Sequence, residues 1–251
     1  MKKKVFTSLG LMTGTSMDGV DLSIIKSDGY NEFTAILDEY YEFNDDLQKN
    51  LINLRKKINI FDDLDKYSFE IHEIEKEFTL FHVDIINKVL KDKNLNIDLV
   101  GFHGQTIFHN PKKKISLQLG NGKLLSQMIR NIVINNFRTN DLKNNGQGAP
   151  LTPIFHQLIS NIIFKKYKIQ FPINIINIGG ITNITQIIRN DKLKSDNLNA
   201  FDIGPGNCLI DEWIRKNSNK KFDKNGEIAK SGKVNELIFN QAIDNFSKSS
   251  Y

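Results

Sequence analysis

Two apolar runs, Val5–Met12 and Val20–Ile25, enclose the turn "TGTSMDG" at the start of the chain, and an apolar run around a Gly-centred turn comes again in "INIINIGGITNITQII" from about residue 172. Short β-branched runs bounded by turn formers read as strands, and a third run, Phe33–Tyr41 after "SDGYN", completes a three-stranded meander. In the later copy "NAFDIGPGNCLIDEWI" adds the third strand and leads into a helix. A chain that starts the same meander twice is directed toward a duplicated architecture. The boundary falls near Lys168, giving units 1–168 and 169–251, of which the second is much the shorter.

Between the meanders the spacing becomes helical. Leu47, Leu51 and Leu54, then Phe69, Ile71, Ile74, Phe78, Phe81, Ile85 and Leu90, recur among charges and predict two helices within Asp45–Asn94. "IDLVGFHG", "KISLQLG" and "RNIVINNF" read as strands, with a helix over Lys123–Arg130. Strand and helix alternating after a meander indicate an α/β fold with a mixed sheet. Pro150 and Pro153 open a further helix through "IFHQLISNIIFKKY".

At 251 residues with 39% hydrophobic content, the chain can bury a substantial core. Its net charge of +5 comes from lysines scattered among Asn and Ile, which does not form a nucleic-acid footprint. Cys208 is the single cysteine, which excludes an internal disulfide and a thiolate zinc cluster and favours a reducing cytoplasm. The opening "MKKKVFTSLGLM" lacks a cleavage site, and no stretch approaches a membrane span of about 20 apolar residues.

Four motifs carry chemistry. In "TGTSMDGVD" the glycines Gly14 and Gly19 allow backbone amides to approach a ligand, the hydroxyls of Thr15 and Ser16 suit phosphate oxygens, and Asp18 suits Mg²⁺ or its water shell. A plain hairpin turn is the competing reading, and a Walker A loop is excluded by the missing Lys. "GFHGQTIFHNP" places His103 and His109 at a spacing unsuited to paired metal ligands; together with Gln105 and Thr106 they read a sugar or nucleotide, or satisfy their own loop. His72 and His82 fall in the helical region and read as structural. "NNFRTNDLKNNGQGAP" brings Arg138 and Asp141 near Gln147; Arg138, at the end of an apolar strand, can grip a carboxylate or phosphate, or form a surface ion pair. "FDIGPGN" sets Asp202 between strand and helix, where a general base is rigidly held. An aspartic protease would need a second such loop.

Seven collinear stretches, "GLMTGTSMDGVD", "GFHGQTIFHNP", "SLQLGNG", "NNFRTND", "NGQGAPLTPIFH", "NIGGITNIT" and "FDIGPGNCLIDEW", together resemble the anhydro-N-acetylmuramic acid kinases of the actin, hexokinase and Hsp70 superfamily. The resemblance implies duplicated actin/hexokinase-like (ribonuclease H-like) α/β domains with mixed sheets, the second incomplete in this chain. It implies a cytoplasmic enzyme of peptidoglycan recycling that uses ATP and Mg²⁺. Water opens the anhydro bridge of 1,6-anhydro-N-acetylmuramic acid, and O6 takes the γ-phosphoryl group to give N-acetylmuramic acid 6-phosphate. On this sequence the phosphate loop is Gly14, Thr15, Ser16, Met17, Asp18, Gly19, Val20 and Asp21, with Asp18 toward the metal. The catalytic carboxylate is Asp202, and the sugar is expected near His103, Gln105, Thr106, Arg138 and Gln147. A homodimer is implied as well; neither nucleic acid nor membrane is expected as a partner.

The sequence departs from the family pattern at Asn121 and Asn136, where the family usually has Asp, and at Asn145, where it has Gly. Each Asn in place of Asp adds a donor where the family offers only acceptors, which predicts altered hydrogen bonding around the substrate. Because the family's adenosine-binding segment is not matched, the alternative is a non-catalytic sugar-binding or regulatory remnant, or one half of a split kinase. Uncovered apolar surface then predicts poor solubility or dimerisation.

Overall fold

The computed structural model describes residues 4–30, 32–188 and 198–248. The strands are β1 (Phe6–Met12), β2 (Gly19–Ser27), β3 (Phe33–Glu42), β4 (Leu99–Phe102), β5 (Gln105–Asn110), β6 (Ile115–Leu119), β7 (Ile132–Asn135), β8 (Ile173–Ile178), β9 (Ile181–Ile187) and β10 (Leu198–Pro205). The helices are α1 (Asp45–Lys57), α2 (Asp62–Lys66), α3 (Ser68–Asp92), α4 (Gly122–Ile129), α5 (Phe137–Lys143), α6 (Pro153–Tyr167), α7 (Cys208–Asn217), α8 (Glu227–Ser231) and α9 (Glu236–Lys248). Two compact units result, one of Met1–Ile173 with Thr185–Ala200, the other of Asn174–Ile184 with Phe201–Tyr251.

The larger unit is built on a mixed sheet of order β3-β2-β1-β4-β7. The opening meander is antiparallel, with Phe6↔Ser27 to Met12↔Asp21 in register. β1 then runs parallel to β4 from Ser8↔Leu99 to Leu11↔Phe102, and β4 parallel to β7 from Leu99↔Ile132 to Phe102↔Asn135. Along β2 the alternation is plain: Val20, Leu22 and Ile24 are buried while Asp21 is exposed. Leu47, Leu51 and Leu54 of α1 are each 0% exposed, so each contributes roughly 2 kcal/mol of apolar burial. They share one core with Ile74, Phe78, Ile86 and Val89 of α3 and with Val100 and Phe102 of β4.

The later strands form a sheet of order β10-β9-β8, the same sequential meander as β3-β2-β1. The α/β class, the mixed sheet and the repeated meander all follow the sequence pattern. Other details differ. Three helices, rather than two, occupy Asp45–Asn94, because the Asp63 carboxylate accepts from the Asn59 and Ile60 amides at 2.8 and 2.9 Å and starts α2 as a separate turn. "KISLQLG" does not join the main sheet: it pairs with β5, absent from the sequence reading, as a separate two-stranded hairpin. The helix after "GQGAP" begins at Pro153, leaving Pro150 outside it. No helix among the described residues is long and apolar enough to cross a membrane.

Candidate functional site

In open α/β sheets, ligands bind outside the carboxyl ends of the parallel strands. Here β1, β4 and β7 are parallel neighbours whose last residues stand nearly level, Leu11↔Phe102 and Phe102↔Asn135. The loops that follow them therefore leave the same edge of the sheet. These loops are "TGTSMDG", "HGQT" and "NFRTND", three of the stretches singled out in the sequence.

Side chains fasten them together. Thr13 Oγ1 donates to the Gly104 carbonyl at 2.8 Å, and Gln105 Nε2 donates to the Gly14 carbonyl at 3.2 Å. Both side chains are buried, Gln105 at 1% exposure, so Gln105 faces the glycine loop rather than open solvent. Its Oε1 is buried without a partner. Thr106, half-buried, accepts from Gln118 Nε2 at 3.2 Å.

Arg138 lies in the first turn of α5, after the strand rather than at its end, because Asn136 adopts a left-handed φ of 58° and turns the chain into the helix. Its Nε and Nη2 donate to His103 Nε2 at 3.0 and 2.8 Å, and Nη1 donates to the Gly148 carbonyl at 2.8 Å. A guanidinium stays protonated, so His103 Nε2 must accept, and the imidazole proton sits on Nδ1, donating to the Gly104 carbonyl at 2.6 Å. Burial, and then the Arg138 charge, hold His103 below its ordinary pKa and keep it neutral. Both its nitrogens are thus committed.

The surface ion pair is not formed. Asp141 instead accepts the Gly148 amide at 2.6 Å, and the exposed Gln147 backbone is hydrogen-bonded to His109. Arg138 is half-buried, its pKa lowered by burial, and faces no carboxylate in the described structure. Three of its five N–H donors are engaged, which leaves two for a ligand.

The glycine loop is anchored from beneath. Met17 is 4% exposed, belongs to the core, takes φ 55°, and its amide donates to the Gly14 carbonyl at 3.3 Å. Val20 is also core. Thr15, Ser16, Asp18 and Asp21 are exposed, and Gly14 is half-buried. Ser16 Oγ donates to Asp18 Oδ1 at 2.6 Å, and the Phe43 amide donates to the Asp18 carbonyl at 2.9 Å. Burial and then the Asp18 charge raise the pKa of Asp21. Among the described residues no group of three or more His, Cys, Asp or Glu could hold a metal alone. A donor set of one or two carboxylates fits Mg²⁺, which keeps several waters and shares substrate phosphates.

In the smaller unit the "NIGG" and "GPGN" turns lock together: the Gly206 and Asn207 amides donate to the Gly180 and Gly179 carbonyls at 2.9 and 2.7 Å. A Cβ at Gly206 would collide with the Gly179 carbonyl, so only glycine permits this approach. Asp202 lies within β10, its side chain exposed.

The family model described as Anhydro-N-acetylmuramic acid kinase matches residues 6–249. The chain belongs to this family. It is 51% identical over 244 residues to the anhydro-N-acetylmuramic acid kinase of Pelagibacter ubique, covering 97% of this chain and 63% of that protein. It is 35% identical to the proteins of the same name from Rhizobium etli and Agrobacterium fabrum, covering 96% and 92% of this chain and 64% and 61% of theirs. The chain thus spans less than two thirds of the length of these relatives. Family membership carries the actin/hexokinase-like α/β fold, and a kinase family implies ATP as phosphoryl donor.

The departures from the family pattern have local explanations. Asn121 caps α4, its side chain accepting the Leu124 amide at 2.9 Å. Asn145 takes φ 68°, a left-handed conformation that Asn tolerates where glycine is the alternative, and accepts from Lys114 Nζ at 2.7 Å. Asn136 likewise takes its left-handed turn and accepts from Thr139 Oγ1. What sequence reasoning missed is the tie from Thr13 to the Gly104 carbonyl, because nothing in the turn motif signals which of its hydroxyls fastens to a neighbouring loop.

Proposed function

We propose that the chain acts as an ATP- and Mg²⁺-dependent kinase on 1,6-anhydro-N-acetylmuramic acid in cytoplasmic peptidoglycan recycling, with residues 1–168 and 169–251 as its two domain portions. The observation that carries this is Arg138: a half-buried guanidinium, fixed by His103 and Gly148, with two donors open beside the loops at the strand ends. The substrate carries a carboxylate and sugar hydroxyls, which such donors recognise. Arg138, Thr106 and Gln147 contact the sugar, while His103 and Gln105 line this region and hold Arg138 and the Gly14 loop.

Gly14 to Asp21 receives the phosphates through its amides and the hydroxyls of Thr15 and Ser16. Asp18 would hold Mg²⁺, which when bound neutralises charge on the transferring phosphoryl group. Asp202, assigned by the family resemblance, takes a proton from the water that attacks the anomeric carbon, as the carboxylate base of an inverting glycosidase does. The released O6 accepts the phosphoryl group. Self-association as a homodimer, without nucleic acid or membrane as partner, completes the reading.

Calorimetric titration of the anhydrosugar into the parent chain and Arg138→Met tests the site. Loss of a charge-assisted contact predicts binding at least about tenfold weaker in the variant. Equal affinity would remove the observation on which the proposal stands.

A further inference from the structure

We propose that Tyr40 is a positioning residue that aims the Asp18 carboxylate at a metal–nucleotide complex; this rests on the reading of Gly14–Asp21 as a phosphate loop. Nothing in the motif pattern assigns Tyr40 a role. Its place follows from register. Asp21 of β2 pairs with Tyr40 of β3, so the two side chains share a face of the sheet, the one opposite the core-facing Val20, Leu22 and Ile24. From there the phenol lies across Gly19 toward the loop. A Cβ built on Gly19 would stand 2.6 Å from the Tyr40 hydroxyl oxygen and 2.7 Å from its Cζ, besides colliding with the Tyr41 carbonyl. Gly19 therefore leaves space for the Tyr40 ring, a different purpose from letting amides approach phosphate.

Burial, then the Asp18 charge and a hydrogen bond to its side chain, push the pKa of the Tyr40 hydroxyl up to about 12, so the phenol stays protonated and keeps a donor beside that carboxylate. Ser16 Oγ is the second donor, at 2.6 Å to Oδ1. The Asp18 carbonyl accepts the amide of Phe43, which follows β3 directly. Main chain and side chain of Asp18 are thus both braced by the end of an edge strand. An exposed carboxylate at a loop tip would otherwise sample several rotamers and lose that freedom on binding; two donors remove the loss beforehand. A carboxylate has about four lone-pair sites, so two donors still leave positions for a cation or its waters.

Tyr40→Phe keeps the ring over Gly19 and removes only the donor. Binding of Mn²⁺ with ATP, read from loss of the free Mn²⁺ electron paramagnetic resonance signal, is compared with binding of ATP alone in chelator. Thermal melting verifies folding. The expected result is about tenfold weaker Mn²⁺-dependent binding in Tyr40→Phe, with metal-free ATP binding and melting temperature unchanged. Metal-dependent binding by Tyr40→Phe within about twofold of the parent would overturn the role of Tyr40 alone. An equal loss with and without metal would overturn it too, as distortion of the loop. If the parent chain bound no Mn²⁺ with ATP, the phosphate-loop reading would fail and the role of Tyr40 with it.

Discussion

His82 sits at 0% exposure with its ring 4.3 Å from that of Phe78 and 5.0 Å from that of Phe102. Nδ1 donates to the Phe78 carbonyl at 2.7 Å, and Nε2 is buried without a partner. Burial pushes its pKa down to about 4, against an ordinary value of 6.5. Between these values the unfolded chain binds a proton that the folded chain refuses. Stability contributed by this site is therefore complete above pH 6.5 and falls as the pH drops toward 4, by about 3 kcal/mol. His82→Leu should remove that part of the acid limb in urea denaturation followed between pH 7 and pH 4; an unchanged limb would contradict the burial argument. In the sequence His82 was legible as structural because it falls on an apolar helical face. The tautomer of His103 was not, since it depends on Arg138, 35 residues away, reaching the same ring.

At the scale of elements, the corner between β4 and β5 leaves no room for a side chain. Gly104 has φ +76°, and a Cβ there would run into the Leu119 carbonyl of β6. Gly104→Ala combines left-handed strain with this collision, so it should cost about 2 kcal/mol or more. For a chain of this size that is a fall of about 4–8 °C in melting temperature, measurable by calorimetry. A loss under about 1 °C would show that the hairpin yields. The meander strands and α1 were legible because their periods of two and of three to four are clean over many residues. β5 was not, because Gln105, Thr106 and His109 interrupt its apolar residues, and its partner β6 lies outside the main sheet. α5 was hidden for a related reason: it follows β7 with only Asn136 between, and the left-handed turn that separates them has no hydrophobic signature.

Over the whole molecule, the repeated meander, the mixed parallel sheet and the family agree on one architecture. The duplication was visible because the same strand, turn and strand pattern starts again after residue 172. The convergence of three loops was not, because parallel neighbours β1, β4 and β7 are distant in sequence and only their register brings the loop starts to one edge. Apolar side chains remain exposed along α7 and α9, including Leu209, Trp213, Leu237 and Ile238, in keeping with the proposed self-association. Catalysis itself can be tested in one reaction. The 251-residue chain is incubated with ATP, Mg²⁺ and 1,6-anhydro-N-acetylmuramic acid in ¹⁸O-water, and the sugar is examined by mass spectrometry. The predicted product is N-acetylmuramic acid 6-phosphate carrying one ¹⁸O at the anomeric carbon, absent with Asp202→Asn; recovery of only the intact anhydrosugar from the parent chain would contradict it.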